Sequence, residues 1–289
     1  MIFKKILICG VGLIGGSFAL ALKQNGCVQE IIGMGRSPEP LKQAQALGVI
    51  DTIAQDWAHA LHQTDLVLIA APVAQTGPLL QAMAPHLSPH TLITDAGSTK
   101  SDVVAAFYAH LPQHLAQIVP AHPIAGAEKS GVSAAQATLY QGKKVILTPL
   151  PESSPGAIQT VQAAWAACGA DIHTMPPNEH DAVFAAVSHL PHLAAYALVH
   201  DLAKRPNAEQ LFRYAASGFR DFTRIAGSHP EMWRDICLAN RSALLTELTA
   251  YIQELQQLQT HLTQNDAPAI EAIFDYAQRA RNAWGSQQS

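Results

Sequence analysis

The sequence predicts an α/β protein with a doubly wound, mostly parallel sheet, followed by an all-helical segment. Three observations carry that prediction. An apolar run at residues 5–9 leads directly into Gly10-Val11-Gly12-Leu13-Ile14-Gly15, and a helical pattern follows from Ser17. Short apolar runs then alternate with helical patterns as far as Thr174, as βαβ units require. Beyond Pro176-Pro177 no strand pattern recurs, and long helical periodicities fill the remainder.

After Lys5 the first strand is apolar, as a strand covered on both faces must be. In the loop that follows, Gly10 permits a tight turn, Gly12 lets a pyrophosphate approach the backbone, and Gly15 lets the next helix pack on the strand. Leu13 and Ile14 lie between them, in the turn that would touch the cofactor. The helix predicted over residues 17–23 then offers free N–H groups and a positive dipole end to phosphates. G-x-G-x-x-G alone also fits a ligand-free core turn; its strand–turn–helix setting favours a Rossmann-type dinucleotide site.

A second strand is expected at residues 30–34, ended by Gly35-Arg36-Ser37, with a helix at 38–47. A short third strand lies near Ile53, a fourth at 66–70 and a fifth at 92–95. Further strands are read at 117–119, 144–147 and 171–174, with a helix at 158–167 after a proline-rich loop. The change of character places a domain boundary between 175 and 176. Residues 1–175 would bind the dinucleotide, and 176–289 would form a helical substrate and dimerisation domain. Leu245, Leu248, Ile252, Leu255, Leu258 and Leu262 make an apolar stripe at helical spacing. Asp266 is expected to cap a last helix, with Pro268 in its first turn. With no sheet left to cover, these C-terminal helices are expected to pack on a second copy, giving a homodimer.

Composition narrows the function. Of 289 residues, 48% are hydrophobic, and the formal net charge is −4, so neither nucleic acid nor an anionic membrane is an expected partner. The four cysteines (Cys9, Cys27, Cys168, Cys237) show no metal-ligand spacing and no disulfide framework. They read as thiols in a reducing cytoplasm. Lys4-Lys5 before an apolar run imitates a signal peptide, but that run holds Gly10, Gly12, Gly15 and Gly16, and later strands need it as a neighbour. No other run approaches membrane-spanning length.

Chemistry is expected where strand ends meet. Ala71-Pro72-Val73 closes the fourth strand beside the expected cofactor, Asp95 to Lys100 closes the fifth, and His122 closes the next. His122 opens a stretch that also carries Glu128, Lys129 and Ser130, a base, an acid, a cation and a hydroxyl within ten residues. Ser98 would begin a helix as its N-cap and also hold His122 in one tautomer. His189 and His192 are three apart and can share a helix face. Without a third ligand nearby, substrate hydrogen bonding suits them better than a metal. Arg224 lies in a glycine-led stretch with two aromatics, where its planar fork suits a carboxylate. Trp233 reads equally as a water shield or as core.

Several blocks together resemble one family, the prephenate/arogenate (cyclohexadienyl) dehydrogenases of tyrosine biosynthesis. They are Gly10 to Ser17, Asp95 to Ser98, His122 to Gly131, Ser188-His189-Leu190-Pro191-His192, Asp221 to Ala226 and Met232 to Asp235. The resemblance implies a Rossmann-type domain followed by a helical dimerisation domain, and a substrate that is prephenate or arogenate. It implies that His122 contacts the ring hydroxyl with Ser98 assisting, and that Arg224 binds a substrate carboxylate. Glu128, His189, His192, Ser217 and Asp221 would line or gate the site. Family members often carry Thr where Ala71 stands and Gly where Ser217 stands. Another Rossmann dehydrogenase, of the 3-hydroxyacid or imine-reducing type, would share the glycine loop but give no reason for His122, His189 and Arg224 together. A non-catalytic nicotinamide sensor would tolerate loss of His122.

Three expectations concern specificity, control and pH. An acidic residue about 20 positions beyond the glycine loop usually accepts from the NAD ribose. Counting from Gly15 reaches Gly35, and Arg36 and Ser37 follow, so NADP is the expected preference, with NAD possible. No stretch is left for a separate amino-acid-binding domain, so tyrosine inhibition should compete with substrate. Activity should rise with pH as His122 loses its proton, near about 6.5 if unperturbed.

Overall fold

The computed structural model describes residues 3–127 and 129–286, and the chain gathers into two compact units, Met1–Arg241 and Ser242–Ser289. In the first unit, five parallel strands form one sheet in the order β3-β2-β1-β4-β5. They are β1 (Phe3–Cys9), β2 (Val28–Met34), β3 (Thr52–Ile53), β4 (Leu66–Ile69) and β5 (Leu92–Asp95). Helices α1 (Leu13–Gln24), α2 (Pro38–Ala46), α3 (Trp57–Leu61) and α4 (Thr76–Met83) connect them. The order reverses between β1 and β4, which makes the carboxyl ends of those strands the switch point where such sheets bind ligands.

The period-2 alternation of strands divides the core into two layers. Ile6, Ile8, Leu66 and Leu68 join Phe18 and Leu22 on one face. Leu7, Cys9, Val67 and Ile69 join Leu80 and Phe107 on the other. Both faces are apolar because helices cover both, so every residue of β4 is buried. Each such side chain contributes about 1.5–3 kcal/mol.

Beyond β5 the chain departs from the predicted strand at 117–119. Residues Leu115–Gln117 form a 3-10 turn, and a single parallel bridge joins Ile118 to Ile93. Pro120 explains the break, since it has no N–H to continue a ladder. The chain instead enters a second sheet, with β6 (Ala121–Pro123) antiparallel to β7 (Lys144–Leu147) and β7 parallel to β8 (Asp171–Thr174). His122 therefore lies inside a strand, opposite Ile146, rather than past a strand end. Helix α5 (Ser101–His110) precedes this sheet, and α6 (Pro155–Ala167) packs within it, capped by the Ser154 hydroxyl, which accepts from Ala157 N at 3.2 Å.

After β8 the described residues are helical. α7 (Pro177–Phe184) runs through a π-helical turn (Ala185–His189) into α8 (Leu190–Ala203). α9 (Ala208–Arg213), α10 (Ser217–Thr223), a 3-10 turn (Arg224–Gly227) and α11 (Pro230–Ala239) follow. These helices belong to the first unit. The run Pro177–Ala203 is, by length and composition, apolar enough to cross a membrane, which the sequence reading did not register. Its Asp181 carboxylate accepts from the backbone of Lys100 and Ser101, which anchors it against α5. The second unit consists of α12 (Arg241–Thr263) and α13 (Ala267–Ser286). Asp266 caps α13 by accepting from Ala269 N at 3.2 Å. Leu245, Ile252, Leu255 and Leu262 stand exposed along α12.

Candidate active site

The phosphate end is shaped by backbone. Gly10 has φ +99, and a Cβ there would lie 2.6 Å from the Ala70 carbonyl, so the turn needs glycine twice over. A Cβ on Gly15 would meet Ile8 Cγ2 at 2.8 Å, which shows how closely α1 sits on β1. Gly12, by contrast, faces open space, with nothing within 4 Å of a built Cβ. Gly12 is also the N-cap of α1, and no side chain caps that end. Its first-turn N–H groups are thus available to an anion. Tyr140 Oη donates to the Ile14 carbonyl at 2.6 Å and holds the turn, with Leu13 half-buried beside it. Ala71 and Pro72 follow β4 at the switch point. These residues fit a dinucleotide.

The end of β2 carries no carboxylate. Gly35, Arg36 and Ser37 are exposed there. Glu30 accepts from the Thr52 hydroxyl at 3.1 Å, and Asp51 accepts from Ile31 N and Lys23 Nζ, both at 2.7 Å. Glu30 and Asp51 are therefore engaged in holding β2 and β3, and Glu39 in the first turn of α2 pairs with Lys42 at 2.8 Å. Ser37 is the N-cap of α2, yet its hydroxyl makes no capping bond.

Histidine 122 sits over a buried ionic pin. Lys100 Nζ, fully buried, pairs with Asp95 Oδ2 and donates to the Ala121 carbonyl at 2.8 Å. Asp95 also accepts from Gly97 N at 2.8 Å and from Ala121 N at 3.0 Å. The end of β5 is thereby tied to the residue before His122. Helix α5 starts at Ser101, so Ser98 is not its N-cap. The acceptor at that helix end is Asp181, which takes Lys100 N and Ser101 N at 2.8 Å each. Nor does Ser98 supply the bond at the imidazole Nδ1. His122 Nδ1 lies 2.8 Å from His180 Nε2, and His180 Nδ1 lies 2.9 Å from Asp181 Oδ1. The Phe184 ring packs edge-on against His122 at 5.0 Å. Burial, then His180, the Lys100 ammonium and His189, push the His122 pKa well below the usual imidazole value. It is a neutral group near pH 7.

The other two histidines flank Trp233. His192 stacks on the indole at 3.5 Å between centroids, and His189 meets it edge-on at 6.1 Å. Trp233 packs with Val73 and Ile236, so it links the loop after β4 to the helices. Pro191 enters α8 at its first turn, where the π-helical turn gives way to α-helix, and His192 Nδ1 donates to the Ser188 carbonyl at 2.9 Å. That bond leaves His192 Nε2 as an acceptor. Asn240 Nδ2 donates to the Asp181 carbonyl at 2.7 Å and lies 3.1 Å from His189 Nδ1. A carbonyl only accepts, which fixes the amide orientation and makes His189 Nδ1 an acceptor. His189 Nε2 then carries a hydrogen, and it is buried without a protein partner. Burial pushes the His189 pKa down to about 4.

The remaining sequence-predicted residues are more outlying. Ser217 and Asp221 are exposed on α10, with Asp221 3.8 Å from Arg220. Arg224 is exposed in the following turn, and its charge reaches His192, contributing to the lowered pKa there after burial. Glu128 lies outside the described residues; Lys129 and Ser130 beside it are exposed. Sequence reasoning passed over His180, Asp181 and Asn240. Their only local signal is an adjacent His-Asp pair on an apolar helix, and 58 residues separate His180 from His122. Lys100 lies in the segment that closes the fifth strand, where the sequence alone gives it no role. Among the described residues no group of three His, Cys, Asp or Glu side chains converges to hold a metal.

A glycine cradle at the switch point of a parallel sheet, with a neutral half-buried histidine in the adjoining sheet, defines a nicotinamide-dependent oxidoreductase. A family model for the prephenate dehydrogenase nucleotide-binding domain matches residues 18–174, and one for the prephenate dehydrogenase dimerization domain matches residues 176–276. The chain belongs to the prephenate dehydrogenase family. It is 41% identical to prephenate dehydrogenase of Bacillus subtilis over 96% of this chain and 74% of that protein. It is 38% identical to cyclohexadienyl dehydrogenase of Zymomonas mobilis over 98% of this chain and 96% of that protein. Among solved structures it is similar to prephenate dehydrogenase from A. aeolicus in complex with hydroxyphenyl propionate and NAD+. That match has a TM-score of 0.88 and 36% identity, and covers 96% of each chain.

Proposed function

We propose that this chain catalyses the oxidative decarboxylation of prephenate, and accepts arogenate, with His122 as the base. The carrying observation is a half-buried imidazole, held neutral, in a strand tied by the Lys100–Asp95 pin to the sheet that carries the glycine loop. His122 takes the proton of the ring hydroxyl at C4, and Ser98 assists at the same oxygen. A dinucleotide held by its pyrophosphate at the Gly10–Gly15 turn would supply, when bound, the hydride acceptor for C4. As the C4–O bond becomes a carbonyl, the C1 carboxylate leaves as carbon dioxide, its bonding electrons pass through the ring to the C4 oxygen, and that oxygen takes the proton back from His122 as the ring becomes an aromatic phenol. Aromatisation drives the reaction, so the protein contributes chiefly orientation and one base.

His189, with its unpaired Nε2–H, suits a substrate oxygen, while Arg224 suits a carboxylate as a bidentate cation. Neutral His192, on the face of Trp233, presents an acceptor that would suit the ammonium of arogenate. Glu128, Ser217 and Asp221 are proposed to line or gate the site. At the cofactor's far end, the lack of a free carboxylate and the presence of Arg36 and Ser37 favour NADP over NAD. The division of labour runs at 175/176, the cofactor before it and the substrate after it. The exposed apolar stripe of α12 supports a homodimer through the C-terminal helices, and the free thiols support a cytoplasmic location. The test is a purified-enzyme assay with prephenate and arogenate, each with NAD and NADP. His122→Asn should fold and bind substrate but lose about 10²–10⁴-fold in kcat. Unchanged turnover in that variant removes His122 from the chemistry.

A further inference from the structure

An imidazole acts as a base at Nε2 only when its Nδ1 carries the proton. The contacts around His122 determine where that proton is. Asp181 is held ionised: burial alone would raise its pKa, but hydrogen bonds from His180, Ser101 and Lys100 keep it below the ordinary value. An ionised carboxylate only accepts, so the 2.9 Å contact requires a hydrogen on His180 Nδ1. Burial keeps His180 itself neutral, so its Nε2 bears a lone pair. That nitrogen lies 2.8 Å from His122 Nδ1, and the shared hydrogen must then belong to His122. The lone pair of His122 is left on Nε2.

We propose that His180 and Asp181 form a positioning relay for His122. It holds the ring in the tautomer that makes His122 a base at Nε2. The proposal rests on the reading of His122 as base. His180 is wholly buried, so it acts through His122. Phe184 packs against both rings, at 5.0 Å from His122 and 4.5 Å from His180, and keeps them apart from water. Asp181 serves a second purpose, since its carboxylate also caps α5 through Lys100 N and Ser101 N. The relay therefore forms only when α7 is seated on α5. The charged and titratable groups facing it are Lys100 and Asp95 from the β5–α5 connection and His189 from the π-helical turn. The logic is that of a serine-protease triad, in which a carboxylate orients a histidine, extended here by one imidazole.

The test compares His180→Phe, His180→Gln and His122→Asn, and records the ¹⁵N spectrum of histidine-labelled protein at neutral pH. Wild type should show His122 protonated on Nδ1 and bare on Nε2. His180→Phe keeps the ring packing but removes the acceptor. It should cost about 10²-fold or more in kcat, leave KM within about twofold, and return a mixed His122 tautomer. His180→Gln places an amide oxygen near the old Nε2, so it should keep the tautomer and turn over faster than His180→Phe. A merely structural His180 would change stability without moving the tautomer. The proposal is overturned if His180→Phe keeps wild-type kcat while His122→Asn is inactive. It is also overturned if wild-type His122 carries its proton on Nε2, a result that needs no variant to fold. Full activity in His122→Asn would instead overturn the base reading itself.

Discussion

Replacing Lys100 with Met tests the pin beneath His122. The substitution keeps much of the aliphatic stem and deletes the ammonium. Lys100 Nζ now serves two acceptors, the Asp95 carboxylate and the Ala121 carbonyl at 2.8 Å, with no exposure to water. In Lys100→Met, Asp95 would retain only the N–H groups of Gly97 and Ala121, at 2.8 and 3.0 Å, among its protein partners. Removing one partner from a buried pair costs about 3–5 kcal/mol, a large share of the ~5–15 kcal/mol that folded proteins possess. Adding Asp95→Asn removes the stranded charge. The double variant should then be more stable than the sum of the two single losses implies, by about 1–3 kcal/mol. Urea unfolding of the four proteins, followed by circular dichroism, measures this. The same variant has a kinetic signature. The Lys100 ammonium is one cause of the depressed His122 pKa, after burial and His180. Without it the imidazole gains its proton at higher pH, so the acid limb of kcat/KM moves up and activity is lost first on the acid side. A loss under about 1 kcal/mol with additive single effects, or an acid limb that stays put, would refute this account of the pin.

Four further outcomes are expected. His189, at about 4, binds its proton less readily when folded than at the unfolded ~6.5. Its contribution to stability is complete above about pH 6.5 and lost as pH falls towards 4; His189→Gln should flatten that part of a stability–pH curve. Arg224→Ala should raise KM far more than it lowers kcat, at a cost of about 2–5 kcal/mol if the pair with substrate is desolvated; an equal KM rules out a clamp. Arg36→Ala should lower kcat/KM with NADP and spare it with NAD, and wild type should favour NADP; the reverse preference defeats the reading of the β2 end. Leu255→Asp on α12 should shift the protein from dimer to monomer in sedimentation, and an unchanged mass would move the interface elsewhere.

The sequence by itself determined the Rossmann-type half of the fold. Apolar runs bounded by glycines specify buried parallel strands locally, and β5, β7 and β8 form at the residues predicted. The glycine loop was equally legible, because each glycine answers a backbone requirement within a few residues of itself. The absence of an acid at the β2 end needed only counting. Family blocks pointed to His122, His189, His192 and Arg224 in order along the chain, although not to their contacts. Tertiary structure decided what no local pattern encodes. Pro120 ended one sheet and sent His122 into another, a choice settled by the ladder open to it at β7. Asp181, not Ser98, became the acceptor at the start of α5, because a carboxylate 80 residues away packs there. The state of His122 is likewise collective. Burial, a buried lysine from before α5 and a histidine from α7 set its charge and tautomer together. Hydrogen bonds and desolvation act through space over a few ångströms, so residues distant in sequence enter them only once the chain has folded.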